Sequence, residues 1–527
     1  MPRAGWSLLP LTNRSPFTKS RRAQILCGLL IAVATAALTS CHSDLYYAYK
    51  FPEYTFANRP IPPSLLAERV MVAVSTNGST GSLQILDALR NLRSNIQNSK
   101  PFFSISGSVG SFPNLILSFP SEIRGYVFSS VGGSLNIINY GTEASTGSAG
   151  TYPGANSIAI PPTFGHIYAA LPISGQLVIV DSTSTAGTYA LNIPNVYKVA
   201  VNTGDTVVLA MVQNSNAVYR VIKLNINQYP TSIAAIAALG AVDCAPLNVP
   251  IYCAVPVNTG STTNAFDRPY GAYFSLDGTT AYVLNCGPEC GGSTASVTFL
   301  QQGALNVNTF TIGVPNVNAF SANVPVPGGV TAALSDGTTL YVSGQQLQPD
   351  GLFAGNLSTI NLATVATNPA AAVTAQYSIS DGTHTKMLFA DDNTLWIGSQ
   401  FCATGERASR AAQQIAAGQP TDQTTNYNCL TRFDRGALTA SIVPAVVQSQ
   451  TAAVAVLYPN TNQDEFYYGD LTGLCWVQNY HKVYTAYGGQ VHAFNTVDGS
   501  EINNTLITVQ GTALDVAYMD AITDADN

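Results

Sequence analysis

Short apolar runs recur along most of the chain in groups of three, each run bounded by turn residues. The unit is plainest at Pro269–Asn285 (PYGAYFSLDGTTAYVLN), which reads as a strand, an Asp277-Gly278 hairpin turn and a second strand. A loop and a third run, Ser296–Leu300, complete it. The same spacing returns at Leu115–Leu117, Tyr126–Phe128 and Leu135–Ile138, then at Ser157–Ile160, Ile167–Ala170 and Leu177–Val180. It continues at Tyr197–Val201, Val207–Ala210 and Val218–Ile222, and, beyond the first unit, at Val330–Leu334, Leu340–Val342 and Ser358–Ile360. Two more groups follow, Met387–Phe389 with Leu395–Ile397 and Leu430–Phe433, and Leu474–Val477 with Val483–Ala486 and Val491–Phe494.

The two ends hold complementary fragments. Val70–Val74 and Leu83–Leu86 look like second and third strands without a first, and Ala513–Tyr518 looks like a first strand without the others. Joined, they make one more unit. A ring closed by strands from both termini hides the open sheet edges that a linear array would expose. The expected architecture is therefore all-β, a single propeller of eight blades, with seven as the alternative count. Tandem sandwiches lack this repeated three-strand cadence, and the rungs of a β-helix are shorter. Runs such as Leu177–Val180 and Val207–Ala210 lose polar alternation, as expected of strands covered on both faces by neighbouring blades.

Composition agrees with a ring of stacked sheets. Of 527 residues 46% are apolar and only 10% charged, against roughly 25% charged in a typical soluble domain. That excludes long solvent-facing helices and coiled coils, while the apolar content argues against charge-rich disorder. The 43 Gly and 29 Pro fall mostly between the runs. Formal net charge is −7, but residues 1–40 hold five bases and no acid. Beyond them 17 bases face 29 acids, or −12. No Lys/Arg cluster remains, so nucleic acid is not an expected partner.

Residues 1–40 read as a secretory signal. Arg21 and Arg22 precede the 14-residue apolar run Ile25–Leu38, and small residues follow. The run is short for a membrane span of about 20 residues. Leu38-Thr39-Ser40-Cys41 resembles the lipobox of bacterial lipoproteins. That resemblance implies cleavage before Cys41, diacylation of its thiol and stable membrane anchoring. His42 stands where some lipoproteins carry the Asp that retains them in the inner membrane, which points to the outer membrane. Residues 41–67, rich in Tyr and Pro, read as an extended tether, and 68–527 as the propeller.

An exported chain forms disulfides. Local pairing gives Cys244 with Cys253, Cys286 with Cys290 and Cys402 with Cys429, and leaves Cys475 as a buried thiol. The Cys286/Cys290 spacing also suits half a metal site, but no second Cys or His pair lies near, so no metal and no cofactor is expected.

The units FSLDGTTAYVLN and ALSDGTTLYVSG, each with an aromatic second strand after an Asp-Gly turn, resemble the YVTN-type repeats of lactonase-like and surface-layer propellers. The likeness implies the fold and, for its usual ligand face, the face that bears the loops between second and third strands and between blades. It is unspecific for activity. The insertions at 226–268, 402–429 and 434–472 contribute to this decoration. In the last, Asp464 and Glu465 beside Phe466, Tyr467 and Tyr468 have the makings of a sugar or peptide contact. Asp277, Asp336 and Asp381 precede Gly and read as turn formers, and Asp391-Asp392-Asn393 as a hairpin turn. Of five His one adjoins Cys41 and four are scattered over the repeats, and with no GxSxG elbow and no Gly-rich phosphate loop there is no catalytic constellation. The expected role is a monomeric, lipid-anchored binding or scaffolding module for an envelope protein or glycan. The alternative is a lactonase-like hydrolase or lyase whose central opening gathers Arg268, His384 and Asp470.

Overall fold

The computed structural model describes residues 60–522 except 79, 92–102, 186, 225–242, 246–249, 261, 263–264, 310–316, 403, 419–427, 445–467, 503–506 and 508. The signal, Cys41 and most of the tether lie outside the described residues. Eight antiparallel sheets follow one another around a ring, and the chain is a β-propeller. Blade 1 comprises Ser111–Phe119, Arg124–Val131, Ser134–Asn139 and Ala144–Thr151. Blade 2 comprises Ser157–Ala159, His166–Leu171, Gln176–Asp181 and Thr188–Asn192. Blade 3 runs Val196–Val201, Val208–Val212, Val218–Leu224 and Ile251–Pro256, with Asp243–Cys244 as a fifth, outermost strand. Blade 4 is Pro269–Phe274, Thr280–Asn285, Ser296–Gln301 and Phe320–Pro325. Blade 5 is Ala332–Ser335, Thr339–Leu347, Phe353–Asn361 and Val373–Ser378, and blade 6 is Thr383–Ala390, Thr394–Gln400, Leu430–Asp434 and Thr439–Ile442. Blade 7 has the three strands Leu471–Val477, Lys482–Tyr487 and Gln490–Asn495.

Blade 8 is the composite expected from the two ends. Thr512–Tyr518 is its first strand, Arg69–Thr76 its second and Thr80–Asp87 its third, with Val70 opposite Tyr518 and Met71 opposite Ile85. Arg69 locks this closure. Its guanidinium, 2% exposed, pairs with Asp520 at 2.6 Å and Glu143 of the blade 1 edge at 2.9 Å, and donates to the Tyr140 carbonyl at 2.6 Å. Three segments far apart in sequence therefore meet on one cation.

From blade 2 round to blade 1, the first strands of neighbouring blades touch one another and form the inner wall of the ring. The core is a series of layers between blades rather than one central mass. Leu209 and Met211 of the blade 3 second strand, with Val207 just before it, pack on Ala281, Val283 and Leu300 of blade 4. Tyr282, Leu284 and Phe299 on the other face of blade 4 pack on Leu340, Val342 and Ile360 of blade 5. Burial on both faces explains why the second strand Val208–Val212 is buried at every position. The expectation for Leu177–Val180 needs correction: Leu177 and Ile179 are fully buried, but Val178 and Val180 only partly, because a third strand lies farther out. The outermost strand Thr188–Asn192 alternates fully.

All three expected disulfides are present, and Cys475 is a buried free thiol. Cys244–Cys253 joins directly opposed residues of the two outermost strands of blade 3. The insertion after Cys402 contains a helix, Glu406–Ala416, which the sequence pattern did not indicate.

Candidate functional site

First and third strands start on one face of the ring, here the loop face. Second and fourth strands start on the opposite, turn face. On the loop face a ridge is built by the Cys286-Gly287-Pro288-Glu289-Cys290 segment of blade 4, one 3₁₀ turn cross-linked at its ends. A pocket of about 170 Å³ lies on one side, lined by Glu289, Gln345, Phe353, Asp381, Gly382, Phe401 and residues 405–408. Another of about 190 Å³ lies on the other, lined by Tyr197, residues 212–214, Arg268–Tyr270 and Cys290.

Glu289 is the built feature of the first pocket. Its carboxylate accepts from the Gln345 amide N at 2.8 Å and from Gln345 Nε2 at 3.2 Å. The slot exists because Gly329 and Gly344 have no side chain: a Cβ at Gly329 would sit 2.0 Å from Glu289 Oε2, and one at Gly344 3.0 Å from it. Among the described residues its partners are these neutral donors, with no ion pair. Burial pushes the carboxyl up to about 7, outweighing the two hydrogen bonds. A perturbed carboxylate in a cleft has the character of a functional group.

The pocket walls come from blades 5 and 6. Arg407, at the start of the helix, donates through Nε to the Phe353 carbonyl at 3.1 Å and pairs with Asp350 at 3.3 Å. Asp381 accepts from the Gly355 amide at 2.9 Å, so it bridges two blades and lines the pocket instead of simply forming the expected turn. Phe401 stands at the rim, 56% exposed, with φ of 64°. That left-handed backbone is disfavoured for a bulky residue, and the bond from its amide to Asp470 at 2.7 Å helps hold it. Against Tyr270, which lines the second pocket, the Lys198 ammonium lies 3.5 Å from the ring centre, and burial brings its pKa down to about 7.

The three residues offered for a catalytic opening are each committed elsewhere. Arg268 lines the second pocket. His384 is fully buried with Nε2 at 2.9 Å from the Ser380 carbonyl, and burial takes its pKa down to about 4. Asp470 holds Phe401. Near the axis, Lys386 of blade 6 reaches Asp515 of blade 8 at 3.3 Å, and Asp515 also accepts from the Ile116 amide of blade 1 at 2.8 Å. These charges tie inner strands together.

Asp464, Glu465, Phe466 and Tyr467 lie outside the described residues. Tyr468, the remaining member of that group, is 5% exposed. Its ring stacks on His492 at 4.2 Å and its hydroxyl donates to Glu501, so its side chain packs into the core. Asp277 and Asp336 do form their turns. Asp391 and Asp392 receive the His481 amide and Nδ1, each at 2.8 Å, and so fasten blade 6 to blade 7. Among the described residues no group of three or more His, Cys, Asp or Glu could hold a metal ion. Glu289 and Phe401 were missed in sequence. The signal for the first was a single acid inside a five-residue disulfide clamp.

No family model matches the chain, and no curated protein matches it either. Among solved structures it is similar to hydrazine synthase of Kuenenia stuttgartiensis, with a TM-score of 0.42 and 13% identity over 73% of this chain and 95% of that one. It is similar also to the dihydro-heme d1 dehydrogenase NirN, at 0.46 and 12% over 84% and 76%. A third is the Cps50 (Swd1) β-propeller domain of Myceliophteria thermophila, at 0.42 and 8% over 74% and 99%. The strand order of the chain itself carries the fold.

Proposed function

We propose that the chain is a lipid-anchored propeller of the cell envelope that binds a partner through its loop face and performs no chemistry of its own. The observation that carries this reading is the disulfide-clamped Glu289 ridge on that face with a pocket on either side; exposed apolar side chains stand on both faces, on the turn face at Leu276, Leu438, Val497 and Ile522. Val131, Ile173, Leu347 and Phe401, at 55%, 90%, 51% and 56% exposure, stand at the tips of second-to-third-strand connections in blades 1, 2, 5 and 6. Apolar tips ringed by uncharged polar residues suit a protein partner better than a glycan. The anchor reading rests on the lipobox-like Leu38–Cys41 and on three disulfides in keeping with an exported chain.

Photo-crosslinking in cells tests the face. A cross-linker at Ile173 or Leu347 is expected to capture a discrete partner, and one at Leu276 or Leu438 on the turn face is not. Capture only from the turn face would overturn the reading. Cys41→Ser is expected to abolish labelling by palmitate and to release the protein from membranes. Retention of both in that variant would remove the anchor.

Glu289 supports a second reading, a hydrolase or lyase in which the half-buried carboxyl donates a proton. Turnover of a lactone or glycoside that disappears in Glu289→Gln would favour it over the first.

A further inference from the structure

We infer that the pocket between blades 4, 5 and 6 receives a single lysine or arginine side chain from the protein partner, with Glu289 as the anion that meets it. This rests on the binding reading above and names what the loop face recognises.

Size is the first argument. Sites for small-molecule ligands usually enclose about 300–1,000 Å³. At about 170 Å³ this pocket suits one inserted side chain. Charge is the second. Glu289, Asp381 and Glu406 line it against one cation, Arg407, and that guanidinium is already bound to Asp350 and to the carbonyls of Leu352 and Phe353. The Glu289 carboxylate is held in place by neutral donors and two side-chain-free positions, so it is preorganised before any cation arrives. A guest ammonium or guanidinium supplies the opposite charge that this half-buried acid lacks among the described residues. The rim is the third argument. Phe401 projects in a left-handed backbone conformation beside the mouth, where an aromatic face adds a cation–π contact to an entering cation. The acidic balance of the chain, 29 acids against 22 bases, favours approach of a basic partner.

The test titrates the full-length protein in detergent with N-acetyl-arginine methylamide, N-acetyl-lysine methylamide, the neutral N-acetyl-norleucine methylamide and glucosamine, followed by calorimetry. The two cationic amino-acid probes are expected to bind and norleucine is not. Glu289→Gln, which keeps the shape and an oxygen acceptor for the Gln345 amide, is expected to weaken the cationic probes at least about tenfold. Phe401→Ala, which leaves the carboxylate in place, is expected to weaken them severalfold. Binding is also expected to fall about tenfold from pH 8 to pH 6 as Glu289 takes up a proton. Asp381, Glu406 and Arg407 face the same pocket, Asp350 lies behind Arg407, and Tyr270 lies across the ridge. The Glu289→Gln variant separates its titration from theirs.

No binding of the cationic probes, equal binding of norleucine, or undiminished binding by Glu289→Gln overturns the inference. Glucosamine binding in place of the amino-acid probes overturns the assignment to a protein side chain. The binding-module reading fails separately, if loop-face cross-linkers capture nothing while the probes bind as expected. A partner captured equally well by Glu289→Gln removes only the role of this pocket.

Discussion

Replacing Glu289 by Gln is expected to make the protein more resistant to unfolding at high pH and to change little at low pH. In the unfolded chain the carboxyl has its ordinary value of 4.5, and in the folded chain it sits at about 7. The folded state therefore holds a proton that the unfolded state has released between those values. Stability from this group is complete below pH 4.5 and is lost as pH rises through 7. A difference of about 2.5 pH units at about 1.4 kcal/mol each bounds the loss at about 3.5 kcal/mol, and partial access of water to the pocket reduces it. Glutamine keeps the volume and an oxygen acceptor for the Gln345 amide and has no proton to lose. Urea unfolding of both proteins at pH 4.5, 6 and 8 reads the difference through the midpoint at constant slope. The variant should gain on the wild type by about 2–3 kcal/mol across that range. Parallel curves, with a gap constant to within about 0.5 kcal/mol, would show that the Glu289 slot is as polar as water and refute the reasoning.

Other variants probe the ring and its site. Arg69→Met leaves Glu143 and Asp520 as buried acids without their cation, and is expected to cost about 3–5 kcal/mol in denaturant unfolding; a loss under 1 kcal/mol would show that the closure does not depend on it. His384 has its folded pKa lowered from 6.5 to about 4, so its contribution is present above pH 6.5 and lost as pH falls toward 4. His384→Asn should therefore narrow its stability gap to wild type by up to about 3 kcal/mol on going from pH 7 to pH 4, the opposite sign to Glu289→Gln, and a pH-independent gap would contradict the neutral buried state. Cys286→Ser with Cys290→Ser opens a loop of only a few residues, worth about 2 kcal/mol by chain entropy. It should weaken the arginine probe more than thermal stability; unchanged probe affinity would mean that the clamp does not position Glu289.

The ring was legible in sequence because each blade repeats a local pattern: an apolar run, a turn, an apolar run, with Asp277-Gly278 marking the hairpin. Even the composite blade could be read, since Val70–Val74 and Ala513–Tyr518 each lack what the other has. Layer position within a blade was harder to read, because the same Leu177–Val180 run looks identical whether it is second or third from the axis. The site was harder still. What makes Glu289 unusual is Gln345 and two glycines, at 329 and 344, on the next blade, and what shapes the rim is a left-handed Phe401 one blade farther on. None of those partners is near in sequence. Local composition favoured Asp464–Tyr468, where acids and aromatics adjoin, yet Tyr468 turns inward to stack on His492 just before the Leu471 strand begins. In a fold made of repeats, local pattern reports the scaffold, while function is assembled where neighbouring blades meet. A clamp as short as Cys286–Cys290 around one acid marks such a meeting point, because a five-residue loop has little reason to be cross-linked unless its orientation matters.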